Sequence, residues 1–164
     1  MISYYFKSKE HLLLSIFEKS VDDLSNIQSQ LRNTCLTAIE KLYRLLDFYA
    51  AKILLDGASI YIMVQEQLVK SIDRSRQLID EINERQYTFF QAIVKAGIDD
   101  GAFKPDTNVR MILYTLLGTL RHIVIVHNVL WTKGDAGLYH EQFKHDVAEA
   151  NTYLKKFLAQ MVLK

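Results

Sequence analysis

The sequence predicts an all-α fold, a helical bundle of about six helices in one compact unit, and three observations carry that expectation. One Pro and six Gly in 164 residues leave long stretches with no turn signal. Apolar residues recur at three- and four-residue spacing from end to end, the period of a helix face. Capping residues and Gly stops interrupt that periodicity about once per helix length. A hydrophobic content of 49% is enough for one buried core.

Ser8 can cap a first helix, about 8–28, with Glu10 in its first turn and Leu13, Phe17, Val21 and Leu24 along one stripe. Thr37-Ala38-Ile39-Glu40 is a capping box, in which each side chain satisfies a backbone N–H that the helix leaves unpaired. It opens a helix carrying Leu42, Leu46, Tyr49 and Ile53, which Asp56-Gly57 should end through a left-handed Gly. A short apolar element follows from Ser59 to about Val69. The next helix starts near Asp73, carries Ile79, Ile82, Phe89, Phe90, Ile93 and Val94, and stops at Asp99-Asp100-Gly101. Pro105-Asp106 reads as a stop and restart, with Asp106 capping a strongly apolar helix over 107–131. A loop is expected at 133–137. The last helix should run from about His140 with Phe143, Val147, Leu154 and Leu158 on one face.

Composition narrows the function. A formal charge of +1 gives no broad basic field of the kind that holds a protein on phosphates. Lone Cys35 offers neither a disulfide framework nor a Cys-based zinc site, which points to a reducing cytoplasm. The apolar run 111–131 is long enough to span a bilayer, but Arg121 near its middle would cost about 2.5–3.5 kcal/mol there. Burial in a protein interface avoids that cost, so no membrane partner is expected. His140, Glu141 and His145 miss the zinc-protease spacing, because three residues separate Glu141 from His145 where two are needed. His122 and His127 are likewise five apart. With no Gly-rich phosphate loop, Ser nucleophile elbow or paired carboxylates, the expectation is a non-enzyme with no catalytic residue, metal or cofactor.

Two stretches carry a resemblance. Ile2, Tyr4, Tyr5, Phe6, Ser8, Lys9, Glu10, Leu12 and Leu13 follow an apolar–aromatic–basic pattern that leads into a Leu-rich helix. Ala92-Ile93-Val94-Lys95-Ala96-Gly97, Asp100-Gly101-Ala102-Phe103, Pro105-Asp106 and Leu117-Gly118 follow in a fixed order. This resembles the TetR family of transcriptional regulators, from the end of the DNA-reading helix through the ligand-binding body. The resemblance implies a TetR-like C-terminal domain over 8–164, for ligand binding and dimerisation. Residues 1–7 would be a remnant of the recognition helix and junction, with Tyr4, Tyr5 and Lys9 left from a DNA-contact surface. Helix-turn-helix readout needs helices that would precede Tyr4. Operator DNA is therefore expected as a partner only of a full-length form.

Tyr49, Met63, Phe90 and Tyr114 sit on helices that the family uses for its cavity, and Phe17 adds to the aromatic supply. A small apolar or amphipathic effector is the implied ligand. Arg121 and His122 interrupt the most apolar helix, and a buried cation needs a partner, so both are candidate ligand contacts. The last two helices carry more apolar surface than a monomer of this size covers. The family pairs them with their symmetry mates in a four-helix bundle, which assigns Leu116, Leu120, Ile123, Val124, Leu154, Phe157, Leu158 and Met161 to a homodimer interface. The expected function is that of a ligand-responsive repressor represented by its effector-binding body. The alternative is a stand-alone small-molecule-binding helical module with no DNA role.

Overall fold

A computed structural model describes residues 9–69, 73–131 and 136–164. Five helices follow one another: α1 Lys9–Arg32, α2 Ala38–Val69, α3 Asp73–Asp99, α4 Val109–Trp131 and α5 Ala136–Val162. Tyr4 and Tyr5 lie outside the described residues, as does the Ser8 cap, and the Lys9 side chain is likewise not described.

The capping box forms as its residues require. Thr37 N donates to Glu40 Oε2 at 2.8 Å, and Glu40 N donates to Thr37 Oγ1 at 3.4 Å. The helix it opens does not end at Gly57. Asp56 takes a non-helical conformation (φ −146°, ψ 43°), but the helix resumes beyond it, so two expected elements are one kinked helix. Gly57 is not left-handed, and the position of its missing Cβ is 3.5 Å from Phe143 Cζ on α5, an ordinary van der Waals contact. The left-handed Gly is Gly101 (φ 77°), which ends the turn after α3 as expected. The cap of α4 is Asn108 rather than Asp106: Asn108 Oδ1 accepts from Met111 N at 3.1 Å. Helix α5 begins at Ala136, four residues earlier than its apolar stripe implies.

Two apolar clusters hold the bundle. The larger joins α2, α4 and α5 with the C-terminal half of α3, through Leu42, Leu46, Val94, Ile112, Leu154 and Leu158. The smaller clamps α1 on α3 through Phe17, Leu24, Leu78, Ile79 and Ile82. Polar ties cross the same contacts. Asp47 on α2 accepts from Asn151 Nδ2 (2.8 Å) and from Lys155 Nζ on α5. Buried His127 on α4 meets Asp146 Oδ2 on α5 at 2.8 Å.

This core corrects the expected dimer face. Leu116, Leu120, Val124, Leu154 and Leu158 are buried within the protomer, because α4 and α5 turn their richest apolar stripes toward α2 and each other. Ile123 and Phe157 are half-buried, and of the expected set only Met161 is exposed. The outward apolar face of α4 consists instead of Met111, Tyr114 and Val126, with Gly118 between them. The stretch Val109–His127 has the length and hydropathy of a membrane span, but its inner face is core.

Candidate ligand cavity

The inner faces of α1, α2, α3 and α4 leave a cavity of about 80 Å³. Its walls are mainly apolar: Leu24 from α1, Ile53, Ile60 and Met63 from α2, Ile82 from α3, and Leu120 from α4. Helical spacing explains why these residues converge. Tyr49, Lys52, Ile53, Ile60, Met63 and Gln67 recur at three- and four-residue steps across the α2 kink and so share one face. Two sets of polar groups line it. In one, Lys52 Nζ donates to Asp23 Oδ2 at 3.0 Å and to Ser20 Oγ at 3.3 Å. Ser20 Oγ in turn donates to the Ile16 carbonyl at 3.0 Å and lies 3.2 Å from Met63 Sδ. The other is Tyr49 with Gln86 and Arg121.

The two sets differ in charge balance. Lys52 is neutralised by Asp23. Arg121 has no carboxylate within ion-pair distance among the described residues; its electrostatic partner is Tyr49. Burial pushes the Tyr49 phenol far above its ordinary range, against the pull of Arg121 and of a hydrogen bond with Gln86. Tyr49 therefore stays neutral and cannot cancel the guanidinium. Burial also lowers the Arg121 pKa, but an Arg side chain remains charged at any physiological pH. One uncompensated positive charge thus faces an apolar space. That arrangement can hold a carboxylate, a phosphate or a strongly polarised carbonyl.

Of the residues singled out from sequence, Tyr49, Met63 and Arg121 meet at this cavity. Phe17 is fully buried in the adjoining α1–α3 cluster, which also holds Leu24 and Ile82. Phe90 belongs to the larger core. Tyr114 is exposed and lines an outer groove between α3 and α4, and His122 points to solvent. Ser20, Lys52, Gln67 and Gln86 were not foreseen. Lys52 and Gln86 carried the same signal as Arg121, a polar residue in register with a buried stripe. A trio on α5, His145, Asp146 and Glu149, brings its ligand atoms within 4.8 Å of one another, but Asp146 already accepts from His127 and Gln142.

The sequence model of the Tetracyclin repressor-like, C-terminal domain family matches residues 35–125, from before the capping box to the end of the Arg121 helix face. The chain belongs to the TetR family. It is 29% identical over 124 residues to the fatty acid metabolism regulator protein of Bacillus subtilis, covering 75% of this chain and 63% of that protein. It is 24% identical over 111 residues to the HTH-type transcriptional repressor KstR2 of Mycolicibacterium smegmatis, covering 66% and 53%. The chain therefore spans less than two thirds of the length of either regulator. The crystal structure of FadR from Bacillus subtilis in complex with stearoyl-CoA superposes with a TM-score of 0.62 at 26% identity, over 94% of this chain and 77% of that one. These relatives are transcriptional regulators rather than enzymes. TetR-family regulators act as dimers and bind small-molecule effectors and operator DNA.

Proposed function

We propose that this chain is the effector-binding and dimerisation body of a TetR-type, ligand-responsive transcriptional repressor that works in the cytoplasm. Its effector is amphipathic, with a long acyl chain and a carboxylate or thioester end. The observation that carries this reading is the Arg121 guanidinium, unneutralised beside a neutral Tyr49 and facing an apolar cavity. The stearoyl-CoA complex of the related FadR supports an acyl ligand.

The cavity of about 80 Å³ is far below the roughly 300–1,000 Å³ of occupied ligand sites, so a long chain enters only if the helices part. Helix α2 is kinked at Asp56 beside the cavity, and Lys19 of α1 lies 3.6 Å from the Asp56 carboxylate. Parting α1 from α2 there would tilt α1 and carry the change toward a DNA-binding head. This is a population shift between a closed and an open body, and its size is set by the ligand's differential affinity for the two. The second copy in the dimer would pack on the outward faces of α4 and α5, around Val126 and Met161.

Thermal unfolding in the presence of palmitoyl-CoA tests the effector reading. At a hundredfold excess over the dissociation constant, linkage gives about 2.7 kcal/mol, or a rise of about 5–10 °C in Tm. No rise with palmitoyl-CoA or palmitate at any soluble concentration would overturn the acyl assignment. In a version carrying an intact helix-turn-helix head, the same ligand should release operator DNA in a mobility-shift assay.

A further inference from the structure

Ser20, Lys52, Met63 and Gln67 give the cavity wall a polar set distinct from that of Arg121. Lys52 Nζ lies 3.3 Å from Ser20 Oγ, and Met63 Sδ lies 3.2 Å from the same oxygen. On a straight helix residues 52 and 63 would stand about 16 Å apart along the axis. The Asp56 kink falls between them, and both side chains reach one hydroxyl of α1. Gln67 follows Met63 by one turn on the same helix face. We infer that this set is a subsite for a neutral oxygen, so that the effector carries a hydroxyl group on its chain besides the acyl end that meets Arg121. This rests on the acyl-effector reading above and adds a substituent which that reading does not require.

Unused hydrogen-bonding capacity carries the inference. An ammonium has three N–H donors, and Lys52 gives one to Asp23 Oδ2 and one to Ser20 Oγ. The third has no acceptor among the described residues, although the Lys52 side chain is only 17% exposed. Ser20 is 8% exposed. Its hydroxyl donates to the Ile16 carbonyl and accepts from Lys52, which leaves one lone pair. The Gln67 amide makes no hydrogen bond among the described residues. A ligand hydroxyl matches these groups, since it accepts from Lys52 or Gln67 and donates to Ser20. A second carboxylate does not match them, because Asp23 already balances the Lys52 charge. A plain methylene at the same place leaves the donors facing hydrocarbon. A site built around hydrogen-bonding groups discriminates against a ligand that leaves them unpaired.

Calorimetric titration of the whole chain with three ligands tests the subsite: palmitate, a palmitate hydroxylated at mid-chain and one hydroxylated at its terminal carbon. Each is used as the free acid and as the coenzyme A thioester. At least one hydroxylated ligand should bind about tenfold tighter than its plain counterpart. Ser20→Ala and Lys52→Met should each bring that ligand to within about threefold of palmitate, while palmitate itself changes by less than about threefold. Ser20→Ala keeps the Lys52–Asp23 pair, so it serves even if Lys52→Met unfolds. Arg121→Gln should weaken all three ligands and preserve the ratio between them. If the wild-type protein binds palmitate as tightly as both hydroxylated forms, the subsite is refuted while the effector reading stands. A preference for the hydroxyl that survives both variants refutes it as well, as does an equal loss of all three ligands in both. Binding of none of the ligands in either form removes the effector reading and the subsite with it.

Discussion

The same substitution at two glycines should shift stability in opposite directions. Gly97, near the end of α3, sits against Phe103, and a Cβ at Gly97 would come within 2.4 Å of Phe103 Cδ2, 2.6 Å of Cε2 and 2.7 Å of Cγ. Carbon atoms in ordinary contact sit about 3.5–4.0 Å apart, so the ring must retreat by more than about 1 Å. It has nowhere to go. Phe103 is fully buried, its N–H donates to the Gly97 carbonyl at 2.9 Å, and the adjacent Lys104 N–H donates to the Val162 carbonyl at 2.7 Å. Overpacking of this kind costs about 1–3 kcal/mol, and expelling the ring outright would approach the 3–5 kcal/mol of a Phe→Ala change. Alanine returns up to about 1 kcal/mol in helix propensity. The net for Gly97→Ala is a loss of about 2–3 kcal/mol, a drop of about 5–10 °C in Tm for a chain of this size. Gly118 in α4 has nothing within 4 Å, so Gly118→Ala should gain about 0.5–1 kcal/mol from propensity alone. Scanning calorimetry of both variants decides. A Gly97→Ala protein at or above the wild-type midpoint would refute the packing argument. So would additivity with Phe103→Leu, since a real clash makes the pair couple.

Three further outcomes follow from the same contacts. The hydrogen bond from His127 holds the Asp146 carboxyl below its ordinary value of 3.8. A carboxylate whose folded pKa is depressed contributes stability that is complete above the unfolded value and lost as pH falls through the folded one. The slope of stability against pH below about 4 should therefore flatten in Asp146→Asn, as read by urea denaturation. On the outward face of α4, Val126→Glu should yield a folded monomer in sedimentation, whereas Leu154→Ala should cost about 2–5 kcal/mol of protomer stability. Because Asp23 neutralises it, Lys52→Met should leave acyl-ligand affinity within about threefold, in contrast to Arg121→Gln.

How much of the fold could be read from the residues depended on whether the signal was local. The capping box at Thr37 and the left-handed Gly101 needed only neighbours in the chain, and both formed. Asp56-Gly57 looked like a stop by the same local logic. Whether a helix resumes after one non-helical residue is decided by tertiary packing, and here Phe143 of α5 packs beside the joint at Gly57. The restart after Pro105 was legible, but its cap was not. Asp106 and Asn108 are equally good capping residues, and only the geometry of the turn selects Asn108. The dimer stripe failed for a related reason. Periodicity identifies which residues share a face, but two apolar helices can satisfy each other within one chain. In α4 and α5 the most regular stripe, Leu116, Leu120, Val124, Leu154 and Leu158, is the one most completely buried.

The cavity shows the same division between charge and shape. Arg121 was legible because a cation inside an apolar helix needs an explanation, and the structure brings it to Tyr49 with no carboxylate in ion-pair distance among the described residues. Phe90 and Phe17 were chosen for being aromatic, which says nothing about whether a ring fills core or lines a void, and both are core. Lys52 offered the same clue as Arg121, yet Asp23 and Ser20 from α1 absorb its charge, a pairing 29 residues distant that no periodicity reveals. A small cavity with an uncancelled guanidinium is a resting state that carries a desolvation cost. In the proposed mechanism, a ligand that brings a negative or strongly polarised group to Arg121 would relieve that cost in the same event that parts α1 from α2. Affinity and the conformational change would then share one origin. Removing the charge with Arg121→Gln should weaken binding and, separately, raise the stability of the unliganded protein.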